Sequence, residues 1–148
     1  MKTKIVLFAI LLIMLNCSSE NPQQSDQLAI QQLIKDYSKA FNAKDFPGFI
    51  SYCSNDFMFF SLDGQVFDRS STVPFLERII DHWSDVHSEL NDLEIQVDDT
   101  LALARYQLVF TFISKGQSGS MKSLITAGFV KSSDQWQLSH FHMSQSYR

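Results

Sequence analysis

At Trp83 the spacing of apolar residues changes from about 3.6 to 2, and this switch confines the chain to a mixed fold with its helices first. Upstream, Ile30, Leu33, Ile34, Tyr37 and Phe41 recur on one face of a helix spanning residues 26 to 42, with Ser25 as the expected N-cap. Asn42-Ala43-Lys44-Asp45 ends that helix and caps a short second one. There Pro47 sits in the first turn, where its missing N–H costs nothing, and Phe46, Phe49, Ile50 and Cys53 form the buried stripe. Phe57 to Phe60 reads as a short strand closed by an Asp63-Gly64 turn. Thr72 reads as the cap of a third helix whose inner face carries Leu76, Ile79, Ile80 and Trp83. Downstream, segments 87–97, 101–113, 120–131 and 135–144 alternate as strands, joined by Asp98-Asp99, by Lys115 to Gly119 and by Ser132-Ser133-Asp134. Short connections between long strands require antiparallel neighbours, because a parallel return needs a crossover of roughly a dozen residues. Three helices followed by a four-stranded meander predict an α+β fold, with the helices packed on one face of a strongly curved sheet.

Ahead of this pattern, Met1-Lys2-Thr3-Lys4 precedes an unbroken apolar run from Ile5 to Leu15, the basic start and apolar centre of an export signal. The run is too short for a bilayer core, which takes about 20 helical residues. Residues 1–16 are therefore expected to be a signal peptide, removed before the protein works. The stretch Ile13-Met14-Leu15-Asn16-Cys17-Ser18-Ser19 resembles the lipobox of bacterial lipoproteins, apart from Asn16, where a smaller residue is usual. That resemblance implies lipidation of Cys17, attachment to the cell envelope and, from Ser18, an outer-membrane position facing the periplasm. Secretion without an anchor is the alternative. Residues 17–25, rich in Ser, Gln and Asn, are expected to be the lipidated Cys and a flexible tether, and residues 26–148 a single domain.

Charge narrows the partners. Once Lys2 and Lys4 leave with the signal, ten basic residues face sixteen acidic ones, a net charge near −6. Nucleic acid is not an expected partner, since phosphate binding needs a basic face. After acylation of Cys17 the one cysteine left is Cys53, which reads as a small buried hydrophobe and has no partner for an internal disulfide.

The last strand concentrates the candidate chemistry. Strict alternation from Trp136 puts Leu138, His140, His142 and Ser144 on one face with it, and Gln137, Ser139, Phe141 and Met143 on the other. Two imidazoles two residues apart on a strand lie roughly 6 to 7 Å apart. Such a pair lines a pocket, works as acid and base near neutral pH, or is buried and hydrogen-bonded. No third ligand stands at a recognisable spacing, so no metal and no cofactor are expected.

The phrases Leu33-Ile34-Lys35-Asp36-Tyr37 through Phe41-Asn42-Ala43-Lys44-Asp45, Tyr52-Cys53-Ser54-Asn55-Asp56, and Trp136 through Ser144 together resemble the NTF2-like superfamily, in its SnoaL-like branch. The closing phrase also resembles the end of the calmodulin-dependent kinase association domain. The resemblance covers residues 26 to 145. It implies a cone with a pocket at its wide end and, commonly, a homodimer formed through the sheet. Position by position, Tyr37 falls where ketosteroid isomerase has an oxyanion-donating tyrosine. The isomerase base falls near Ser61 and its oxyanion-hole aspartate near Thr126, and neither of these is a carboxylate here. Where the kinase association domain places an arginine and glutamates in its pocket, this chain has Gln107 and the Leu124-Ile125 region, which implies a more apolar pocket.

The expected pocket set is Tyr37, Phe59, Trp83 and Trp136 as aromatic walls, with Asp56, Arg105, Gln107, His140 and His142 as its polar members. Asp56 either orients a histidine or braces a turn. Arg105 is either an anion anchor or an outward charge, because alternation groups it with Gln107 and Val109 against Tyr106 and Leu108 without saying which set looks inward. Three functions compete. The first is a non-catalytic binder of a small apolar or amphipathic molecule or a protein partner. The second is a small isomerase or cyclase using His140 or His142 as general base with Tyr37, and the third is an oligomerisation module with a filled cone.

Overall fold

The computed structural model describes residues 21–145. The signal peptide, Cys17 and the first part of the expected tether lie outside them. Helix α1 (Pro22–Asn42) begins earlier than Ser25, because Asn21 accepts a hydrogen bond from the Gln23 amide and Pro22 supplies a first turn with φ already set. Its buried stripe is Ile30, Ile34 and Tyr37. Helix α2 (Phe46–Ser51) is capped by Asp45, whose carboxylate accepts from the Gly48 amide at 2.9 Å. Strand β1 (Cys53–Phe60) starts where the sequence suggested a helix to continue, so Cys53 is a buried strand residue and not the end of a helical stripe. Burial pushes its thiol up to about 12, which makes it an inert hydrophobe at neutral pH.

A short β2 (Val66–Asp68) leads into α3 (Arg69–Ile80). The cap is Asp68, not Thr72. The Asp68 carboxylate accepts from the Ser71 amide at 2.8 Å while the Ser71 hydroxyl reaches back to the Asp68 amide, a reciprocal pair. Those bonds from Ser71, with a further one from Ser70, hold the Asp68 carboxyl at about 2. Thr72 is buried one turn in and bonds back to the Asp68 carbonyl at 2.7 Å. The helix ends at Ile80, so Trp83 is the first residue of β3 (Trp83–Asp98) and not part of a helical face.

Strands β3, β4 (Leu101–Ser114), β5 (Gln117–Ser132) and β6 (Gln135–Gln145) form the expected antiparallel meander. The sheet is larger than four strands, however. Its order is β2-β1-β6-β5-β4-β3, and β1 runs parallel to β6. Turn length could not reveal that pairing, because nearly the whole domain forms the crossover between the two strands. The three helices pack on one face of this curved sheet. Period two sends Ala102, Ala104, Tyr106, Leu108 and Phe110 of β4 into the core, with Ile125, Ala127 and Phe129 beside them on β5. Among the described residues the buried core lies between Ile30 and Phe141.

One irregularity decides what the end of β6 presents. Gly128 pairs with His140 but Phe129 pairs with Leu138, so Ser139 is an extra residue in a β-bulge. Its hydroxyl donates to the Gly128 carbonyl at 3.1 Å. Before the bulge Trp136 and Leu138 are buried. After it the inward residues are Phe141 and Met143, and His142 is exposed. The strict alternation expected from Trp136 to Ser144 therefore fails at Ser139.

Candidate functional site

Between α1, α3 and the inner face of the sheet lies a cavity of about 300 Å³, the lower end of the range usual for small-molecule sites. Phe41 and Phe49 from the first two helices, Phe59 from β1, Phe75 from α3, and Leu108 and Phe110 from β4 form its walls. Leu62 and Ile79, each 38% exposed, mark the open side, together with Asp63 and the half-buried Trp83. Ile79 is thus a rim residue and not the core residue its helical spacing suggested.

Polar groups interrupt the apolar lining at Tyr37, Ser38, Ser61, Asp63, Thr72 and Ser88, and two of these positions carry hydrogen-bonded clusters. Tyr37 lines the cavity, and its hydroxyl lies 2.5 Å from that of Tyr106, which is outside the lining; both residues are buried. Desolvation pushes the Tyr37 phenol well above its ordinary value and pushes Tyr106 up as well, so both stay protonated, and one hydroxyl donates to the other. At the mouth, Ser61 is buried and its hydroxyl lies against the Asp63 carboxylate, which also accepts from the Gln65 backbone amide at 3.3 Å and from the Gln65 side chain. The bond from Ser61, followed by that from the Gln65 amide, holds the Asp63 carboxyl below its usual range. A carboxylate stabilised in this way is a weak base, and it does not activate Ser61 as a nucleophile.

Of the residues expected to form a pocket, Tyr37, Phe59 and Trp83 line this cavity; Asp56, Arg105, Gln107, Trp136, His140 and His142 do not. The bulge turns both imidazoles to the outer face of the sheet, where the Phe60 ring sits 4.7 Å from His140 and 6.0 Å from His142. Partial burial there, followed by the neighbouring His142, lowers the pKa of His140. Arg105 also faces outward, in a 3.0 Å ion pair with the exposed Glu94, and Gln107 shares that face. Asp56 is exposed on β1. Thr126, on the outer set of β5, leaves Ile125 at the inward position beside it.

Trp136 is buried at the opposite end of the sheet. Its indole N–H donates to Asp26 Oδ1 at 2.9 Å, and Lys131 Nζ reaches the same oxygen at 2.8 Å. Sequence reasoning missed this Asp26–Lys131–Trp136 clasp. Its trace in the sequence is an acid on the polar side of a helix, which reads as solvated. Tyr106 could have been found by pairing the inward set of β4 with Tyr37. Asp63 reads only as a turn residue, because nothing in the sequence says that the turn overhangs a cavity.

The family comparison agrees with this architecture. The SnoaL-like domain family model matches residues 30–148. Among solved structures, the chain is similar to a proposed dehydratase of the NTF2-like family from Streptomyces avermitilis, with 15% identity, a TM-score of 0.76, and 85% of this chain and 99% of that one covered. It is also similar to an NTF2-like protein of unknown function from Pseudomonas putida KT2440, with 24% identity, a TM-score of 0.68, and coverage of 84% and 89%. A third similar structure is a proposed calcium/calmodulin-dependent protein kinase II association domain from Xanthomonas campestris, with 15% identity, a TM-score of 0.71, and coverage of 80% and 86%. No curated protein matches the sequence. At these identities the structural likenesses establish the fold alone. With four-fifths of its length matched by the family model, the chain belongs to the SnoaL-like domain family and has the NTF2-like fold.

Proposed function

We propose that this protein is an exported, lipid-anchored binder of a small apolar or amphipathic molecule, acting without catalysis. The observation that carries the reading is the cavity itself, which is walled by aromatic and aliphatic side chains, open on one side and large enough for a compact ring system. Its chemistry suits holding better than converting. None of the four histidines lines it, and the one lining carboxylate, Asp63, is a weakened base. The Tyr37–Tyr106 pair offers a hydrogen bond to a carbonyl or hydroxyl on the ligand. Native mass spectrometry of residues 18–148 tests the binding. A small molecule retained in the native spectrum and released on denaturation is expected, and bare protein would favour a filled interaction module instead. Export and anchoring are supported by the basic start, the apolar run and Cys17. Cys17→Ala is expected to move the protein out of the membrane fraction, and retention there would sink the anchor.

The outer face of the sheet favours a second, compatible reading, a homodimer formed through that face. Met58, Leu103 and Leu124 are exposed there, at 36 to 47%, beside the Arg105–Glu94 pair. Sedimentation should show a dimer that Leu124→Glu dissociates; an unchanged mass would reject this interface.

A further inference from the structure

We infer that the cavity takes an aromatic or aliphatic amine, with its ammonium group at the mouth against Asp63. This rests on the reading of the cavity as a ligand site and adds the chemistry of the ligand's head group. Asp63 is the only charged residue in the lining; no Lys, Arg or His shares it. The carboxylate is fixed in place by neutral donors, the Ser61 hydroxyl and the Gln65 amide and side chain, on a turn that Gly64 completes at φ +81°. An ionised carboxylate has about four acceptor positions, so these three bonds leave it able to accept another. It has no cationic partner either, since the ion pairs among the described residues are Arg105–Glu94 and Lys131–Asp26. The hydrogen bonds keep the group ionised at neutral pH.

A preorganised, uncompensated carboxylate at the edge of an aromatic cavity favours one sign of charge. An ammonium there meets the carboxylate beside the aromatic lining of Phe59, Phe75 and Trp83, and the Phe75 ring already holds one cation, the Arg78 guanidinium, 5.7 Å from its centroid. A ligand carboxylate at the same place meets the like charge of Asp63, in the field of a chain whose net charge is −4. The other polar lining residues, Tyr37, Ser38, Thr72 and Ser88, carry neutral hydroxyls, which suit a neutral group.

The methionines provide the test. Within residues 21–148, Met121 and Met143 line the cavity, and Met58 lies on the outer face as an internal control. With methyl-labelled methionine, this domain would be titrated by NMR with 4-phenylbutylamine, 4-phenylbutanol and 4-phenylbutyrate, which share one apolar body and differ in the head group. The Met121 and Met143 methyls should move while Met58 stays still. The amine should bind about two- to fivefold more tightly than the alcohol, the upper part of the range of an exposed ion pair, and the carboxylate more weakly than either. Asp63→Asn should bring the amine down to the alcohol. Because that substitution touches a turn, the wild-type protein gives an independent readout, in which high salt should shrink the amine's advantage. An amine no tighter than the alcohol, or an advantage that survives both Asp63→Asn and salt, overturns the head-group assignment while leaving the cavity as a binding site. Still Met121 and Met143 signals with all three compounds would overturn both.

Discussion

The two ends of the space beneath α1 are built from the same helix and the same strands, yet one is shut and the other open. At the shut end, Gln23 and Gln27 donate from the helix to the Val97 and Ile95 carbonyls of β3, each at 3.3 Å. The β4 partners of those β3 residues are Ala102 and Ala104, and Ala104 pairs onward with Ala127. Small side chains let the helix down onto the sheet, and the Asp26–Lys131–Trp136 clasp fastens it there. At the open end the sheet carries Leu108, Phe110 and Met121, and large aromatics are stacked on one another instead of filling the centre. Phe75 stacks on Phe67 with ring centroids 3.8 Å apart, and Trp83 on Phe112 at 3.9 Å. Gly119 makes the second stack feasible, since a Cβ there would come within 2.5 Å of the Phe112 ring. Volume alone therefore does not decide closure. Small residues with a polar clasp close one end, and bulky residues that pair sideways leave the other open.

The largest test of this contrast is Trp136→Ala. It should cost about 3–5 kcal/mol, the usual range for removing a buried Trp, read as a lower denaturation midpoint. An unchanged midpoint would remove the clasp from the account of the shut end. Asp26→Ala should cost less, about 1.5–3 kcal/mol, the range for hydrogen bonds to a charged group. The bond from Lys131, followed by that from Trp136, depresses the Asp26 carboxyl below its ordinary value. Its contribution is therefore complete above the unfolded-state value of about 3.9 and is lost as pH falls through the lower folded value. The acid limb of the stability curve should be shallower in Asp26→Ala than in the parent; matching limbs would assign the acid sensitivity elsewhere.

In the open half, Tyr37→Phe should cost about 1–3 kcal/mol because it strands a buried Tyr106 hydroxyl, whereas the double replacement with Tyr106→Phe should recover most of the loss. Additive costs in a double-mutant cycle would show that the two hydroxyls do not depend on one another. The smallest effect belongs to the outer face. The folded-state pKa of His140 is lowered, so the unfolded chain takes up a proton first as pH falls below about 6.5, and stability declines across that window. His140→Gln should flatten the slope between neutral pH and about pH 5, and an unchanged slope would mean that this imidazole takes up its proton equally in the folded and unfolded chains.

How much of this is legible in the sequence follows from the range of each interaction. The helix faces and the meander can be read because burial repeats with the backbone period, so spacing alone puts Tyr37 on the inner face of its helix. The helix starts are harder to read because caps are local contests. Asn21 with Pro22 wins over Ser25, and Asp68 with Ser71 wins over Thr72. The parallel pairing of β1 with β6 leaves no mark on either strand. The outward turn of His140 and His142 rests on a single extra residue, which changes no composition and breaks no apolar pattern, since Phe141 and Met143 are as apolar as a buried face requires.

That extra residue has a consequence for how the chain tolerates changes of length. Losing one residue from a regular strand inverts every side chain beyond the gap. In β6 the deletion of Ser139 would leave His140 opposite Gly128 and Leu138 opposite Phe129, as now, with Phe141 still inward and both histidines still outward. Position 139 is thus a spare place in an otherwise fixed ladder. A shortened relative of this chain could keep the same cavity, whereas one that lost a residue a few positions later would not.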